Sequence, residues 1–340
     1  MSSSTALSTP IKHTYFYGVE ENSILTGEWL DEWGARKINS HARTTKKNLL
    51  YSINDIKKYL GSYPLQELNT FIIQDWVNTM VSENRSPGTI HRLFDILNIS
   101  LRAACRRKYL GYNPCLAVKR PVDRMRQRGG ITHEEFHALT EQCKGTKYEN
   151  FVPVKAYAAL RSGEIFGLSW RQVDFEHGKL LIDQQLLEER LEHGRNYFIE
   201  KGTKTRFIRE IWPPEETFEY LNKEKAKQDA YKAANPDFNN PDDLVFTDKN
   251  GATIKKSSNC NMLARYCEKA GIPVITLHDL RHYGAVLKYE KTNYDLWAVK
   301  AFLGHKHVKM TIFYLYTTIQ QMTIDASKIE EFYAPYLRDA

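Results

Sequence analysis

The last third of this 340-residue chain gathers side chains that could hold and attack an anion: His278-Asp-Leu-Arg281-His282, then Leu303-Gly-His305, then Tyr314. Imidazoles move protons, a guanidinium grips a pair of phosphate oxygens, and a phenol is a nucleophile once a base takes its proton. Far upstream, Leu160-Arg161-Ser-Gly-Glu164 supplies a second guanidinium with a carboxylate three residues on, a spacing that lets Glu164 orient Arg161 from the same helical face. Cleaving a phosphodiester needs an in-line nucleophile, a protonated leaving oxygen and positive donors on the non-bridging oxygens. The set contains candidates for each part. A lysine sits in Gly202-Thr-Lys204-Thr-Arg-Phe, with Lys201 close enough to compete. Taken singly, each feature has an ordinary reading: surface ion pairs, a solvated lysine, a half-exposed histidine, a core tyrosine.

The elements that must position these groups are mostly helical. Thr276-Leu-His-Asp279 fits a capping box that would put His278 in the first turn of a helix over 277–290, where the macrodipole favours an anion. Further helices are expected over 215–232, 257–270 and 295–303. The stretch Tyr197 to Trp212 reads as a hairpin with Gly202 at its tip, which would present Lys204, and the glycine and β-branched content of Val173 to Asp183 reads as strands. Upstream, Trp29 and Trp33 lie four apart, Leu49, Leu50, Ile53, Ile56 and Leu60 repeat at helical spacing up to Gly61, and Ser86-Pro-Gly-Thr opens another helix. The fold class expected is therefore mainly α, with one small antiparallel β-sheet in the C-terminal domain.

Charge is uneven. Residues 1–130 hold 19 Lys+Arg against 11 Asp+Glu, a balance of +8, and residues 131–340 hold 29 against 30, a balance of −1, which together give the net +7. The basic excess peaks between Arg102 and Arg128, where Arg106, Arg107, Lys108, Lys119 and Arg120 are candidate contacts to a nucleic-acid backbone. Five cysteines without a C-x-x-C pair argue against a disulfide framework and a thiolate metal site. The sequence has no secretory signal and no long apolar run, so a cytoplasmic, DNA-associated location is expected.

The order Leu-Arg-x-x-Glu, Lys, His-x-Leu-Arg-His, Leu-Gly-His, then Tyr nine residues on resembles the tyrosine recombinases of the phage-integrase family. Pro64-Leu-Gln-Glu-Leu, Ser86-Pro-Gly-Thr-Ile, Asn113-Pro-Cys-Leu-Ala-Val and Gly271-Ile-Pro-Val-Ile extend the resemblance over roughly residues 24–320. It implies a two-domain DNA clamp in which Arg161, Lys204, His278, Arg281, His305 and Tyr314 are catalytic. Tyr314 would form a 3′-phosphotyrosyl link and release a 5′-hydroxyl. Lys204 would protonate the leaving oxygen, the arginines and His305 would hold the phosphate, and Glu164 would support Arg161. Tyr316 is the neighbouring alternative, and spacing from His305 favours Tyr314.

By the same resemblance no cofactor or metal is needed. The partners would be double-stranded recombination sites, with four copies of the chain assembled on DNA, and accessory DNA-bending or directionality proteins are admitted. The expected division is a leader at 1–22, a helical core-binding domain at 23–112, a basic linker at 113–130, a catalytic domain at 131–317 and a tail helix at 318–340 suited to docking on a neighbouring protomer. Two rival functions are a DNA-relaxing enzyme of the type IB topoisomerase kind and a DNA-binding architectural protein without catalysis. The sequence departs from the family at Ala158-Ala159, where Thr-Gly is usual, and at Tyr283-Gly284, where Thr-Phe is common; a mid-helix glycine costs up to about 1 kcal/mol relative to alanine.

Overall fold

Two independent hydrophobic cores divide the chain into units at 1–126 and 127–340. The structure is a computed structural model that describes residues 24–38, 43–122, 131–191, 194–201, 208–254 and 256–319. The leader, most of the expected tail from 320 on, and Lys204 lie outside the described residues.

The first unit is helical: α1 (Thr26–Ile38), α2 (Arg43–Leu60), α3 (Thr70–Ser82) and α4 (Pro87–Arg106). Asn69 caps α3 by accepting from the backbone N–H of Phe71 and Ile72, and Ser86 caps α4, whose first position is Pro87. The apolar faces of the four helices meet around Trp29, Ile56, Ile73 and Leu97, all almost fully buried. The beginning of the expected linker is folded onto this unit. Thr70 Oγ1 donates to Pro114 O (3.1 Å), Asn113 donates to Asn98 Oδ1 (2.7 Å), and Gln74 exchanges two hydrogen bonds with the backbone of Lys119. Buried Cys115 and these polar contacts explain why a turn-rich, basic stretch is held against α3 and α4.

The second unit begins with α5 (His133–Cys143), opened by a capping box between Thr132 and Glu135. There follow α6 (Phe151–Tyr157) and the short α7 (Ser162–Phe166), then β1 (Val173–Asp174), β2 (Lys179–Ile182), β3 (Gln184–Leu191), β4 (Gly194–Lys201) and β5 (Arg209–Ile211). The remaining helices are α8 (Glu216–Ala234), α9 (Lys256–Lys269), α10 (Leu277–Lys291), α11 (Leu296–Leu303) and α12 (Val308–Ile319).

The mainly helical class is borne out, but the strands form two antiparallel sheets, β1-β2-β5 and β3-β4. The expected hairpin over 197–212 is corrected accordingly: Lys201 pairs with Gln184 in one sheet, and Arg209 pairs with Ile182 in the other. The strand that was missed, β3, reads Gln-Gln-Leu-Leu-Glu-Glu-Arg-Leu. Its residues change polarity in pairs and only Gln184 is buried among those described, so it carries no period-two signal. No helix among the described residues is long and apolar enough to cross a membrane.

Helices α6 and α10 cross closely, and Gly284 makes this possible. A Cβ there would sit 2.0 Å from the Ala156 carbonyl oxygen. The mid-helix glycine is therefore a packing requirement.

Candidate active site

Arg161 sits just before α7 in extended backbone (φ −66°, ψ 157°), so it does not share a helical face with Glu164 as its spacing suggested. The pair meets through the helix start instead. Glu164 accepts from the Arg161 backbone N–H (2.8 Å) and from its Nη1 (2.9 Å), and Arg161 Nη2 donates to Gly304 O (3.2 Å). The Arg161 side chain remains 43% exposed, which leaves its fork accessible to a ligand.

Arg281, on the second turn of α10, is fully buried. It donates through Nη1 to Ala159 O (2.6 Å) and through Nη2 to Leu303 O (2.7 Å), with His305 Nε2 3.3 Å from Nη2. Its Nε has no partner among the described residues. Burial and then the like charge of Arg161 pull its pKa down to about 10, which leaves it charged at neutral pH. Burial alone would raise the Glu164 carboxyl, but hydrogen bonds and charge from Arg209, with the charges of Arg161 and Arg281, hold it well below the usual carboxylate range. A permanent anion thus lies among three cations.

His305 follows Gly304, which ends α11 in the left-handed region (φ 64°). Its ring is buried, with Nδ1 3.0 Å from Thr311 Oγ1. Because a guanidinium has no acceptor, the nitrogen facing Arg281 must be the unprotonated one, and Nδ1–H is left for Thr311. Burial, then the charges of Arg281, Arg161 and Arg209, push the His305 pKa down to about 4, consistent with a neutral ring.

Tyr314, on α12, reaches back to the first turn of α10, where its hydroxyl lies 2.9 Å from His278 Nε2. The capping box that starts this helix is present: Thr276 Oγ1 accepts from the backbone N–H of His278 and Asp279, and Asp279 Oδ2 accepts from the Thr276 backbone. His278 is exposed on one side. Burial of the other side, then the nearby charges of Lys155 and Arg281, lower its pKa, so a neutral imidazole faces the phenol. The Tyr314 ring stacks on His282 at 3.9 Å between centroids and lies 4.8 Å from His305. The side chain of Tyr316 lies outside the described residues.

The fold therefore brings together Arg161, Glu164, His278, Arg281, His305 and Tyr314 from α7, α10, α11 and α12. The stretch that carries Lys204 leaves β4 at Lys201 and re-enters the description at Ile208, next to Arg209. Sequence reading gave no role to four nearby groups: Arg209, His282, Thr311 and the buried Lys155, whose Nζ donates to Leu160 O. For His282 a signal existed, since it is four residues after His278 and on the same helical face. Arg209 is one cation in a basic run and had none. In the first unit Arg106, Arg107, Lys108, Lys119 and Arg120 are all exposed, with Arg107 paired to Glu32 (3.4 Å) and Arg120 to Asp95 (3.0 Å).

Comparison with known proteins gives a consistent result. Residues 130–321 match the phage integrase family, and residues 27–81 match the N-terminal SAM-like domain of phage integrases. A XerC-like tyrosine recombinase of Caldanaerobacter subterraneus subsp. tengcongensis is 26% identical over 253 residues, covering 70% of this chain. The match spans 64% of the length of that relative. Among solved structures, the Tn1549 transposon integrase in complex with transposon right end DNA has a TM-score of 0.72 at 20% identity, covering 84% of this chain and 94% of that one. A lambda integrase tetramer bound to a Holliday junction has a TM-score of 0.65 at 16% identity, covering 86% of this chain and 78% of that one.

Proposed function

The chain belongs to the phage integrase family, and from that premise we propose that it is a site-specific tyrosine recombinase that cuts and rejoins DNA of a phage or mobile element. The observation that carries this reading is the Tyr314 hydroxyl 2.9 Å from the neutral His278, beside a buried guanidinium that stays charged and is held in place by backbone carbonyls. Phenols ionise near pH 10, so attack at neutral pH needs a base within hydrogen-bond reach, and His278 Nε2 is such a base.

In this reading Tyr314 Oη attacks the scissile phosphorus as its proton passes to His278. The bond to the 5′-oxygen breaks, and Lys204 protonates that oxygen as it leaves. Arg161 and Arg281 bind the non-bridging oxygens, where transition-state charge accumulates. His305, with one ring nitrogen on Arg281 and the other on Thr311, holds the Arg281 fork. The 3′-phosphotyrosyl bond conserves the energy of the broken phosphodiester. A 5′-hydroxyl from a second duplex can then reverse the reaction and exchange strands. By analogy with the lambda integrase tetramer solved on a Holliday junction, four copies would act on two DNA sites. The exposed basic residues of the first unit, Arg106, Lys108 and Lys119 foremost, would contact the DNA backbone.

The test is a plasmid carrying two copies of the attachment junction from the chain's own element, incubated without ATP. Recombinant circles with a denaturant-resistant protein–DNA adduct support the reading. Adduct formation with relaxation alone would favour a topoisomerase, and binding with neither would leave an architectural protein.

A further inference from the structure

Arg209 makes no entry in the sequence pattern, yet its side chain is bonded at each of its three nitrogens. Its Nη1 and Nη2 donate in parallel to Glu164 Oε1 (3.0 Å) and Oε2 (2.9 Å), and its Nε donates to Phe302 O (3.1 Å). The side chain is 9% exposed. All three of its guanidinium nitrogens donate to the protein's own acceptors. What it does hold is the carboxylate that holds Arg161, and that carboxylate also lies 3.7 Å from Arg281 Nη1.

The carbonyls at the end of α11 show the same division of labour. Arg209 takes Phe302 O, Arg281 takes Leu303 O and Arg161 takes Gly304 O, so three guanidinia bind three successive acceptors at the negative end of a helix, immediately before His305. Gly304 leaves room for this: a Cβ there would meet Arg209 Cδ at 2.9 Å. Three guanidinia and one carboxylate give the cluster a net charge of +2, and the like charges repel. A bidentate fork fixes the plane of the carboxylate that lies among them, as a single ammonium would not.

We infer that Arg209 is a positioning residue for DNA cleavage: it fixes the Glu164 carboxylate, and through it the accessible Arg161 fork and the buried Arg281 guanidinium. The inference rests on the strand-transfer reading above. It differs from a staple between β5 and α11, whose loss would lower stability and leave the folded enzyme's chemistry unchanged.

The experiment uses the full chain and a nicked duplex spanning the junction of its own element. For Arg209→Met, the single-turnover rate of adduct formation falls about 10- to 100-fold, as for loss of other supporting partners, while non-covalent binding of the same duplex changes less than about twofold. Arg209→Lys recovers part of the rate. Arg209→Met combined with Glu164→Gln is no slower than the slower single variant, because both act through one carboxylate. A 5′-bridging phosphorothiolate, whose sulfur leaves without a proton, does not restore the rate. If it does, Arg209 acts through Lys204, five positions earlier in the sequence, and the inference is overturned; a wild-type rate in folded Arg209→Met overturns it as well. Arginine-selective 15N spectra give a readout without turnover: the Arg161 guanidinium signals, separate in the wild type, merge in Arg209→Met as rotation about its C–N bonds is freed, and unchanged signals contradict the proposal. A wild-type enzyme that forms no adduct would count against the strand-transfer reading, while the spectra still decide the role of Arg209.

Discussion

The two sides of the candidate site are built by different means. On the arginine side, Arg281 is fully buried, Glu164 serves Arg161 and Arg209 by direct hydrogen bonds, and backbone carbonyls from Phe302 to Gly304 occupy the guanidinium forks. On the nucleophile side, Tyr314 is half-buried, hydrogen-bonded to His278 and packed against the rings of His278, His282 and His305 and the Arg281 guanidinium. The clamp for the phosphate is part of the core and its position is set by folding. The nucleophile packs on it from a half-buried position. Substitutions on the arginine side should therefore reduce both stability and rate, and those on the nucleophile side should reduce rate alone.

The largest effect that would break this contrast is expected at Arg281. Arg281→Met strands the carbonyls of Ala159 and Leu303 and removes one positive neighbour of Glu164. Adduct formation should fall roughly 10²- to 10³-fold, and unfolding free energy by roughly 3 kcal/mol, read by single-turnover kinetics and denaturant melts. Full stability in that variant would show that the clamp is not part of the core.

Gly284→Ala tests the link between packing and site. Helix propensity alone would make it stabilising by up to about 1 kcal/mol. The 2.0 Å approach to Ala156 O demands the opposite sign, a loss of roughly 1–3 kcal/mol. A slower adduct should accompany the loss, since α10 carries His278 and Arg281. A stabilised variant would contradict the packing account.

The smallest effect concerns pH. The base form of His278 is the neutral one, and its pKa lies below the ordinary histidine value. The adduct rate should hold level as pH falls from 7.5 to about 6.5 and then drop about tenfold per unit below the lowered pKa. An acid limb centred above pH 6.5 would mean that another group is the base.

Much of this is legible in the sequence, and the gaps have physical causes. Helix caps are local, so Thr132, Thr276 and Ser86 marked their helices from a few residues of sequence. The clustering of Arg161, His278, Arg281, His305 and Tyr314 was readable only as a family pattern, because nothing in spacing alone joins positions so far apart. The sheets were misassigned because β3 shows no alternation: Gln184 is buried and Gln185 to Glu188 are all partly buried. Arg209 was invisible because its role depends on a carboxylate 45 residues away. Ala159 stands where the family usually has glycine and adopts a positive φ of 47°, while its carbonyl accepts from Arg281. It is an L-residue held in a left-handed conformation at the site, at a cost of roughly 1 kcal/mol.

The most direct measurement is to trap the covalent complex on a nicked junction duplex, digest it and identify the peptide that carries the nucleotide. The account predicts the link at Tyr314, its loss to background in Tyr314→Phe with stability within about 1 kcal/mol of wild type, and its persistence in Tyr316→Phe. A link at Tyr316, or an adduct that survives Tyr314→Phe, would contradict it.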